Sequence, residues 1–482
     1  MITVENMARL YNLTVTTIPN PNFDPDFPIS SDNPETISNP DPYSASDGDI
    51  VYVQGFWDKN DGGSGLFIFE ENSTLDPVFD DTSIFKVGYN ENYDGMVCKA
   101  IDITDGRWIR QWDRGALNLR WFGARPDYTA GRDTSWALNA ALKYAQFDPI
   151  NAFPNDSGVS IFNSAFFTRP GKTIFIPSGR YKFYSAISDI TFGVVIEGEG
   201  NMGTSAHGTR LYINQAYSSI PNYSQEESGF LRFVGEVAAN NSGGGLKNLS
   251  IQVAEQTYDT NVISLLSPQE QTDHALYPTN EHALDYNPGV SKWTAENVFI
   301  VMSGLSKRAL YMKSSQVGGV LPWRIRDIML INCWFAGASV EGQTVRAENV
   351  SELQIIGGFF SSGTGVENDV LTPGIVLGGT YGCANTHLNG VDLSHSIIQI
   401  DEISTFINID CRFGKLLIYN GPNNDHKALH VSKRFILNRR VHTNNDLVCD
   451  TATTPTNYKC YGYFTDIYND LDADLITGWD WE

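Results

Sequence analysis

The sequence is poor in basic residues: 33 Lys and Arg stand against 56 Asp and Glu, which gives a formal net charge of −23 at pH 7. A chain of this charge lacks the broad positive face that attracts nucleic acid or an anionic membrane surface. We therefore expect neither as a partner. A neutral or mixed-charge ligand is easier to accommodate, and a local basic groove is still compatible with the composition.

Long hydrophobic runs are also missing. No segment reaches the roughly 18 consecutive apolar residues of a transmembrane helix, so the sequence predicts no membrane span. The first residues, Met1-Ile-Thr-Val-Glu-Asn-Met, do not form a basic segment followed by an apolar stretch, as a secretory signal does. We expect synthesis in the cytoplasm without export.

Cysteine is scarce, with six in the chain, and no pair has the Cys-x-x-Cys or another metal-ligand spacing. Cys449 and Cys460 could bridge a C-terminal hairpin, but a reducing cytosol favours free thiols. The histidines that follow Asp273 and Glu281 could bind a metal ion, whereas the Pro-Thr-Asn between them favours a protruding polar loop. The sequence predicts no metal site and no cofactor.

Turn-forming residues, in contrast, are abundant, with 43 Gly and 21 Pro in 482 residues. They favour many short strands joined by tight turns over long helices. The hydrophobic fraction of 41% is enough for a buried core, although a chain of this length exceeds what one compact core holds. A solenoid avoids that limit because its core grows in one dimension as turns are added.

Two regions of different composition come first. Residues 1–45 are rich in Pro, Asn, Asp and Ser and predict an extended arm, since proline removes backbone donors. The arm could be a docking peptide that orders on a partner, or a disordered tail. Residues 46–117 contain short apolar runs between Gly, Asp and Asn, which predicts a small antiparallel β domain. In it, Asp61-Gly-Gly-Ser-Gly favours a hairpin turn over a phosphate or calcium loop.

The segment after residue 117 indicates the main architecture. Trp121-Phe-Gly-Ala-Arg-Pro-Asp is followed by a predicted helix that Asp133 or Ser135 can cap. Two strands follow, which begin at Gly171-Lys-Thr-Ile-Phe-Ile and Val194-Val-Ile-Glu-Gly, and each ends in a glycine-bearing turn. The apolar face of the helix is predicted from its periodicity to be Ala137, Leu138, Ala141, Leu142 and Ala145.

This order of elements resembles the pectate-lyase-like β-helix superfamily, and phage tailspike and tail-fibre proteins in particular. The family features are an FGA-x-x-D strand, an alanine-rich capping helix, a V-x-F-P-x-G-x-Y strand and an I-x-G-x-G strand. The match is close over about residues 120–212 and extends further only by pattern. The resemblance implies an all-β right-handed parallel β-helix over 118–440, with an N-terminal capping α-helix, a small β domain before it and a C-terminal cap over 441–482.

Cys333 and Cys411 lie 78 residues apart in the same local frame, Ile-Asn-Cys-Trp-Phe and Ile-Asp-Cys-Arg-Phe. This distance fits three solenoid turns of about 26 residues each. Strand alternation then turns Ile331, Cys333 and Phe335 inward. The outward positions of the two frames are Asn332, Trp334, Asp410 and Arg412.

Glycoside hydrolysis needs two carboxylates that flank the scissile bond. Outward acids on neighbouring turns of a β-helix meet that need, because the turns are about 4.8 Å apart. Asp392 and Asp410 are the predicted catalytic pair. Glu341, which with Glu348 and Glu352 forms a second acidic cluster, is a further catalytic candidate. The arginine motif of pectate lyases and the polygalacturonase signatures are absent, so the resemblance supplies no active site.

Substrate contacts are predicted at Trp334, Arg412 and Asn332. An exposed aromatic ring, at Trp334 or at Phe360, can stack on a sugar, although a subunit interface would use the same residues.

The sequence therefore predicts a phage tail appendage of the tailspike type. It would be a homotrimer in the virion that attaches to other tail or baseplate proteins through its N-terminal region and binds a bacterial surface polysaccharide. Depolymerisation of that glycan, by endo-glycosidase or polysaccharide lyase chemistry, is a plausible extension. Two alternatives stay open: a non-enzymatic structural or adaptor protein of the tail, and a secreted bacterial polysaccharide-degrading enzyme.

Overall fold

A computed structural model describes the greater part of the chain. The described residues are 1–14, 17–19, 36–38, 43–78, 91–101, 105–113, 115–126, 133–147, 173–191, 193–201, 208–214, 224, 226–235, 241–253, 260–267, 289–302, 306–314, 325–337, 343–361, 373–379, 382–400, 405–418, 431–432, 436–437, 447–449, 459–461 and 480–481. From residue 405 onward only the backbone and its strand pairing are described.

The chain divides into two compact units, Met1–Ala152 and Phe153–Glu482. The elements of the first unit are β1 (Ile2–Val4), α1 (Met7–Tyr11), β2 (Thr17–Pro19), β3 (Thr36–Ser38), β4 (Ile50–Val53), β5 (Gly65–Glu70), β6 (Val97–Lys99), β7 (Arg107–Arg110), β8 (Leu117–Asn118), a 3-10 helix (Leu119–Phe122) and α2 (Ser135–Phe147). The division falls later than the boundary predicted between residues 117 and 118, because α2 packs within the first unit.

Five strands of the first unit form one sheet in the order β1-β4-β5-β7-β6. Strand β1 pairs with β4 in parallel, and the other neighbours are antiparallel. Four strands of this sheet, β4 to β7, lie within residues 46–117. Its first strand, however, comes from the segment predicted as an arm, and Met7 and Leu10 of α1 are buried. The first residues of that segment are part of the domain, since their apolar side chains are covered by it.

Asp61 organises the hairpin that joins β4 to β5. Its carboxylate accepts hydrogen bonds from four backbone N–H groups at 2.7 to 3.1 Å, those of Phe56, Trp57, Asp58 and Gly63. All four donors belong to the turn itself, so the carboxylate fixes the shape of the loop. The prediction of a hairpin turn is confirmed.

Helix α2 is buried on nearly all sides. Asp133 accepts the N–H of Ser135 at 2.9 Å, which satisfies a donor at the helix start as the sequence predicts. All five residues of the predicted apolar face are buried, and Trp136 and Tyr144 are buried as well. Tyr144 donates a hydrogen bond of 2.7 Å to the carboxylate of Asp94. The helix is thus a core element of the first unit.

The second unit consists of short strands. They are β9 (Thr173–Ile176), β10 (Gly179–Phe183), β11 (Val195–Gly198), β12 (Thr209–Ile213), β13 (Gly229–Val234), β14 (Asn241–Ser242), β15 (Gly245–Lys247), β16 (Ser250–Val253), β17 (Asn261–Leu266), β18 (Val290–Ser291), β19 (Thr294–Glu296), β20 (Phe299–Met302), β21 (Leu310–Lys313), β22 (Ile325–Ile331), β23 (Trp334–Gly337), β24 (Val345–Glu348), β25 (Val350–Ile356), β26 (Phe359–Phe360), β27 (Pro373–Gly378), β28 (Ala384–Ile400), β29 (Thr405–Ile418), β30 (Val431–Ser432), β31 (Ile436–Leu437), β32 (Leu447–Cys449), β33 (Lys459–Tyr461) and β34 (Asp480–Trp481).

These strands stack in parallel from one turn of the chain to the next, and the chain is a right-handed parallel β-helix, as predicted. The first sheet contains β9, β11, β15, β19, β22, β25, β28 and β29. The second sheet contains β10, β12, β16, β20, β23, β26, β28, β29 and β31. The third sheet contains β13, β17, β21, β24, β27, β28, β29 and β32.

The core is built from columns of inward-facing residues, and each column takes one residue from every turn. In the first sheet the inward column is fully buried and runs through Ile174, Ile196, Leu246, Ala295, Leu330 and Ile355. Each fully buried leucine or isoleucine of this column contributes about 1.5–3 kcal/mol through its removal from water. The alternation of buried and half-buried residues in strands such as Thr173–Ile176 is what makes the sequence coil in this way.

The corner between the first and second sheets is a ladder of left-handed residues. Asn248, Asn297 and Asn332 have φ of 52°, 53° and 50°, and Gly357 continues the ladder at 65°. Asparagine and glycine adopt this conformation at the lowest cost. The Nδ2 group of Asn297 donates to Oδ1 of Asn248 at 3.1 Å. Side-chain stacking therefore adds to the backbone ladder at this corner.

The repeat inferred from the cysteine frame is confirmed in number and corrected in length. Trp334 pairs with Phe359, Phe359 with Asp392 and Asp392 with Arg412, so three turns separate the two frames. The turns are 25, 33 and 20 residues long, counted between these partners. Loops of variable length leave the sheets between strands, which is why a constant period does not hold.

The predicted inward orientation of Ile331 is wrong. Cys333 and Phe335 are fully buried as predicted, but Ile331 is half-buried and lies in register with the exposed Ile356. The left-handed Asn332 between them turns the chain through the corner and resets the alternation.

At the C-terminal end, β32 lies beyond residue 440 and still pairs with β29 in the third sheet. Strands β30, β33 and β34 form a separate sheet, with β30 before β32 in the chain and the other two after it. The predicted cap over 441–482 therefore begins with a strand of the β-helix. Cys449 and Cys460 lie in strands whose side chains fall outside the description, whereas Cys98, Cys333 and Cys383 are buried free thiols.

Candidate functional site

Three aromatic side chains form a ladder on the outward face of the second sheet. Phe299, Trp334 and Phe359 occupy the same position on three successive turns. Their ring centroids are 5.2 Å and 5.3 Å apart, with interplanar angles of 58° and 65°. The indole of Trp334 is 48% exposed, and its two neighbours are half-buried. We call these three residues the aromatic ladder.

The ladder is outward because the residue after each member is inward. Phe335 and Phe360, next in sequence to Trp334 and Phe359, are fully buried and meet edge to face, with ring centroids 5.1 Å apart. The prediction of Phe360 as a sugar-stacking surface is therefore wrong. Aromatic residues therefore occupy both faces of the sheet at these turns. The inner pair contributes to the core, whereas the outer ladder leaves a large aromatic area in contact with solvent, which is available for a ligand.

The exposed apolar surface continues around the corner. Ile356 is 39% exposed and lies in register with the half-buried Ile331 on the first sheet. Ile356 is separated from Phe359 in sequence only by Gly357 and Gly358. Within the described part of the second unit, Trp334 and Ile356 are the large hydrophobic residues that stand most open to solvent. The corner is thus an apolar ridge.

Asp392 continues the column of the aromatic ladder on the next turn. Its partner is Phe359, and its backbone N–H donates to the carbonyl of Gly358 at 2.9 Å. The side chain of Asp392 is half-buried. Asp392, a predicted catalytic residue, therefore lies two turns away from Trp334, the predicted sugar-stacking residue. Both are on the same face of the second sheet.

The expected alignment of Asp392 with Asp410 is wrong. The residue in register with Asp392 on the next turn is Arg412, whereas Asp410 pairs with Asn389 of the first sheet. The register shifts between Asn389 and Val391, which places the two aspartates on different sides of the corner. Only the backbone positions of Asp410 and Arg412 are described, and their catalytic and substrate-binding roles stay predictions.

The second predicted acidic cluster does not assemble in the described residues. Glu341 lies outside them. Glu348 is in the third sheet, where it accepts hydrogen bonds from Nε of Arg346 and, at 3.1 Å, from the hydroxyl of Tyr311. These contacts make Glu348 part of a local ion-pair network. Glu352 lies elsewhere, at a left-handed position inside strand β25 of the first sheet.

Glu352 has a carboxylate partner that the sequence did not indicate. A second ladder of left-handed residues contains Lys292, Asp327, Glu352 and Asn385, with φ of 52° to 58°. The hydrogen bond between the carboxyl groups of Glu352 and Asp327 raises the pKa of Glu352 above its ordinary value, and partial burial and the negative charge of Asp327 add to the effect. The two residues are 25 positions apart, and only the turn length of the coil could have revealed the pair.

Asn332 is exposed but has a structural role in the corner. Its left-handed backbone occupies the same rung position as Asn297, and its N–H donates to the carbonyl of Ile356 at 2.9 Å. A β-carbon at Gly357 would lie 2.7 Å from Oδ1 of Asn332. The amide group thus packs against the next turn at the edge of the aromatic ladder. Whether it also contacts substrate stays a prediction.

The described residues contain neither a cluster of metal ligands nor a membrane-spanning helix. No group of three or more His, Cys, Asp or Glu side chains there has the geometry to hold a metal ion. No helix in that part of the chain is both long and apolar enough to cross a membrane. The histidine-containing segments near Asp273 and Glu281 lie outside the described residues.

Comparison with known proteins gives structural matches only. Neither a protein-family model nor a curated protein sequence matches the chain. The tailspike protein gp49 of Acinetobacter baumannii bacteriophage Fri1, described as a capsular polysaccharide depolymerase, is 12% identical with a TM-score of 0.49, over 96% of this chain and 66% of that one. Tailspike protein 2 of bacteriophage CBA120 is 13% identical with a TM-score of 0.44, over 87% of this chain and 50% of that one.

A bacterial protein also matches. Pantoea stewartii WceF, described as a glycan biofilm modifying enzyme with a tailspike-like parallel β-helix, is 9% identical with a TM-score of 0.32, over 87% of this chain and 45% of that one. The chain thus spans between about half and two thirds of the length of these proteins. The position of each site residue follows from the strand register and not from these matches.

Proposed function

We propose that the β-helix binds a bacterial surface polysaccharide along the outward face of its second sheet, as a phage tailspike does. The observation that carries the proposal is the aromatic ladder of Phe299, Trp334 and Phe359. Aromatic rings offer large, rigid contact areas at low entropic cost. Their regular spacing of just over 5 Å along the coil suits a linear polymer, which can contact several turns at once.

We further propose that the bound glycan is cleaved at the end of the ladder. Asp392 is the described carboxylate that continues the aromatic column, and Asp410 follows on the next turn across the corner. A hydrolase needs one carboxyl group as acid and a second as base or nucleophile, about 5–10 Å apart. Asp392 and Asp410 are assigned to these two roles. A lyase would instead use Asp392 as the base that takes the C5 proton of a uronic acid while the C4–O glycosidic bond breaks, and Asp410 as the acid that protonates the leaving oxygen.

The biological setting belongs to the same proposal. A chain with these features would be a virion component made in the host cytoplasm, assembled as a homotrimer and docked to other tail proteins through residues 1–117. The support for this setting is the order of sequence elements over residues 120–212, which resembles tailspike proteins.

The binding test uses purified protein and an array of bacterial capsular and O-antigen polysaccharides. We expect Trp334→Ala to weaken binding of the recognised glycan roughly 10-fold or more, the loss of about 1–2 kcal/mol of stacking. Phe359→Ala should weaken it less, because that ring is half-buried. Lys247→Gln, on the first sheet with a side chain 39% exposed, is the matched surface control and should bind normally.

Two results would contradict the proposal. Normal glycan binding by the Trp334→Ala protein would show that the ladder is not the binding site, and failure of the whole array to bind would refute the proposed function.

A second candidate, a structural tail protein, is favoured by the apolar ridge of Trp334 and Ile356, which would suit a subunit contact. Under that alternative, Trp334→Ala lowers the native mass from an oligomer to a monomer and binding to glycans is absent throughout.

A further inference from the structure

We infer that the bound polysaccharide contains N-acetylated sugars, and that the acetamido group of one such sugar binds at the corner beside the aromatic ladder. The inference rests on the proposed function and names the sugar class of its ligand. We call this corner site the acetamido notch, and it is lined by Ile331, Asn332, Ile356, Gly357 and Gly358.

The floor of the notch is bare backbone. Gly357 and Gly358 separate Ile356 of the first sheet from Phe359 of the second, so no side chain stands between these two along the chain. Both glycines have a positive φ, 65° and 92°. A β-carbon at Gly358 would collide with the carbonyl oxygen of Cys333 on the preceding turn. The gap is therefore a fixed feature of the corner, because the backbone there has no room for a side chain.

Apolar side chains stand on both sides of this gap. Ile331 and Ile356 lie in register on two successive turns of the first sheet, about 4.8 Å apart. Ile356 is 39% exposed and Ile331 is half-buried. Trp334 and Phe359 of the aromatic ladder lie in register on the same two turns of the second sheet. A methyl group bound between these walls would lose its contact with water, which favours binding.

One amide group lies at the same gap. The side chains of Asn248 and Asn297, on earlier turns of the corner ladder, are joined by a hydrogen bond of 3.1 Å. The exposed side chain of Asn332 makes no hydrogen bond within the described part of the chain. Its Oδ1 lies over Gly357, where a β-carbon would be 2.7 Å away. The amide of Asn332 therefore offers a donor and an acceptor to a ligand in the notch.

An acetamido substituent matches both features. Its carbonyl accepts and its N–H donates, so it can pair with the carboxamide of Asn332 while its methyl group meets the isoleucines. Asn332 lies two residues before Trp334, at most about 7 Å along the chain. A substituent of a sugar ring stacked on Trp334 can reach it. The residues that line the notch are uncharged, which suits a neutral substituent.

The test uses a polysaccharide of the array that the unmodified protein binds, in native, N-deacetylated, re-N-acetylated and N-formylated forms. We expect N-deacetylation to weaken binding roughly 10-fold or more and re-N-acetylation to restore it, because the amide is lost and regained. The N-formylated form retains the amide without the methyl group and should bind roughly fourfold more weakly than the native form. Mild alkali, which removes O-acetyl esters, should leave binding unchanged.

A variant at Ile356 assigns the methyl contact. Ile356→Thr retains a β-branched side chain and loses apolar surface, so it should bind the native glycan roughly fourfold more weakly. Its affinity for the N-formylated glycan should equal that of the unmodified protein, since no methyl group is present to lose. Ile50→Thr, at an isoleucine that is 44% exposed in the first unit, is the matched control and should bind normally.

A variant at Asn332 assigns the amide contact. Asn332→Asp tolerates the left-handed backbone and lacks the N–H donor, so it should bind the native and N-formylated glycans roughly 10-fold more weakly. Asn60→Asp is the matched control, because Asn60 is an exposed asparagine of the first unit with φ of 67°.

The outcomes separate this inference from the proposed function. If a glycan without acetamido groups binds and Trp334→Ala weakens that binding, the acetamido notch is refuted and the polysaccharide function stands. The same conclusion follows if the N-deacetylated or N-formylated glycan binds as the native one does, or if the Ile356→Thr and Asn332→Asp proteins bind normally. Loss of binding after mild alkali alone would replace the acetamido group with an ester and refute the inference. If no glycan of the array binds, both proposals fall.

Discussion

Arg412 occupies, one turn further along the coil, the position that Asp392 holds on the second sheet. The same column contains Phe359 and Trp334 on the two preceding turns. An aromatic, an acidic and a basic position thus follow one another at intervals of one strand spacing. This order makes Asp392 the carboxylate nearest in register to the stacking surface, and it makes Arg412 the residue beside it on the far side.

The first prediction concerns Asp392. We expect Asp392→Asn to reduce depolymerisation at least 100-fold, since a carboxyl group that transfers a proton is lost. Glycan affinity should change less than threefold, because the aromatic ladder is intact. Released reducing ends or unsaturated sugars measure the activity, and titration with the intact glycan measures the affinity.

Asp410→Asn is the companion variant, and Asp327→Asn, at a left-handed position inside strand β22 of the first sheet, is the matched control. An Asp392→Asn protein that cleaves at the normal rate would refute the catalytic assignment. A loss of activity confined to Asp327→Asn would move the chemistry to the Asp327 and Glu352 pair.

The second prediction separates the two roles of Asn332. Asn332→Gly should unfold at the normal temperature, because glycine tolerates the φ of 50°. Asn332→Ala should lose about 1 kcal/mol of the free energy of unfolding, since an alanine is strained in the left-handed region. If the amide contacts substrate as predicted, both variants should bind the glycan several-fold more weakly.

Thermal unfolding and glycan titration together decide the matter. Normal glycan affinity of the Asn332→Gly protein would show that Asn332 has only its structural role at the corner.

The third prediction concerns pH. The pKa of Glu352 in the folded protein is raised above 4.5 by its hydrogen bond to Asp327. Folding therefore binds a proton in this range, so the stabilisation is complete below about pH 4.5 and is lost as the pH rises through the raised value. Relative to the unmodified protein, Glu352→Gln should gain about 0.5 kcal/mol of unfolding free energy between pH 4 and pH 7. The value is small because the pair is open to solvent.

Unfolding in denaturant at the two pH values measures this difference. Asp327→Asn should reproduce it, since either substitution removes one of the two charges. A difference that is the same at both pH values would show that Glu352 does not share a proton with Asp327.

The fourth prediction concerns the first unit. Tyr144 donates to the carboxylate of Asp94, which also accepts the N–H groups of Val78, Met96 and Val97. Burial raises the pKa of Asp94, although these hydrogen bonds act in the opposite direction. Tyr144→Phe should cost about 1–3 kcal/mol, because a fully buried carboxyl group loses a partner.

Tyr43→Phe is the control, since the Tyr43 hydroxyl makes a hydrogen bond of the same length, 2.7 Å, to the solvent-accessible Asp49. Its unfolding temperature should hardly change. Equal losses in the two variants would contradict the role given to burial.

The β-helix could be predicted from the sequence because its cause is local. Alternating residues in short strands such as Thr173–Ile176, and asparagine or glycine at the corners, specify strands and turns within a few residues. The outward orientation of Trp334 followed from the same alternation. The sheet position of β1 did not, because the partner of Ile2–Val4 is β4, far away in sequence.

The candidate site was only half predictable. Its residue types were visible, and Trp334 and Asp392 do share one face. Their neighbours on adjacent turns could not be predicted, because the turns are 25, 33 and 20 residues long and no constant repeat length applies. Asp410 therefore lies on the first sheet and not beside Asp392, and no sequence pattern indicated that Asp327 lies beside Glu352.

The sequence by itself determined that the chain coils and which side chains face out within a strand, since both depend on alternation along a single strand. It did not determine the orientation of Ile331, because the left-handed Asn332 resets the alternation at the corner. Only the tertiary structure decided which outward residues are neighbours, such as Arg412 with Asp392 or Arg180 with Arg210. The physical reason is that hydrogen bonds between turns set the register, and the loops that join the strands vary in length without affecting those bonds.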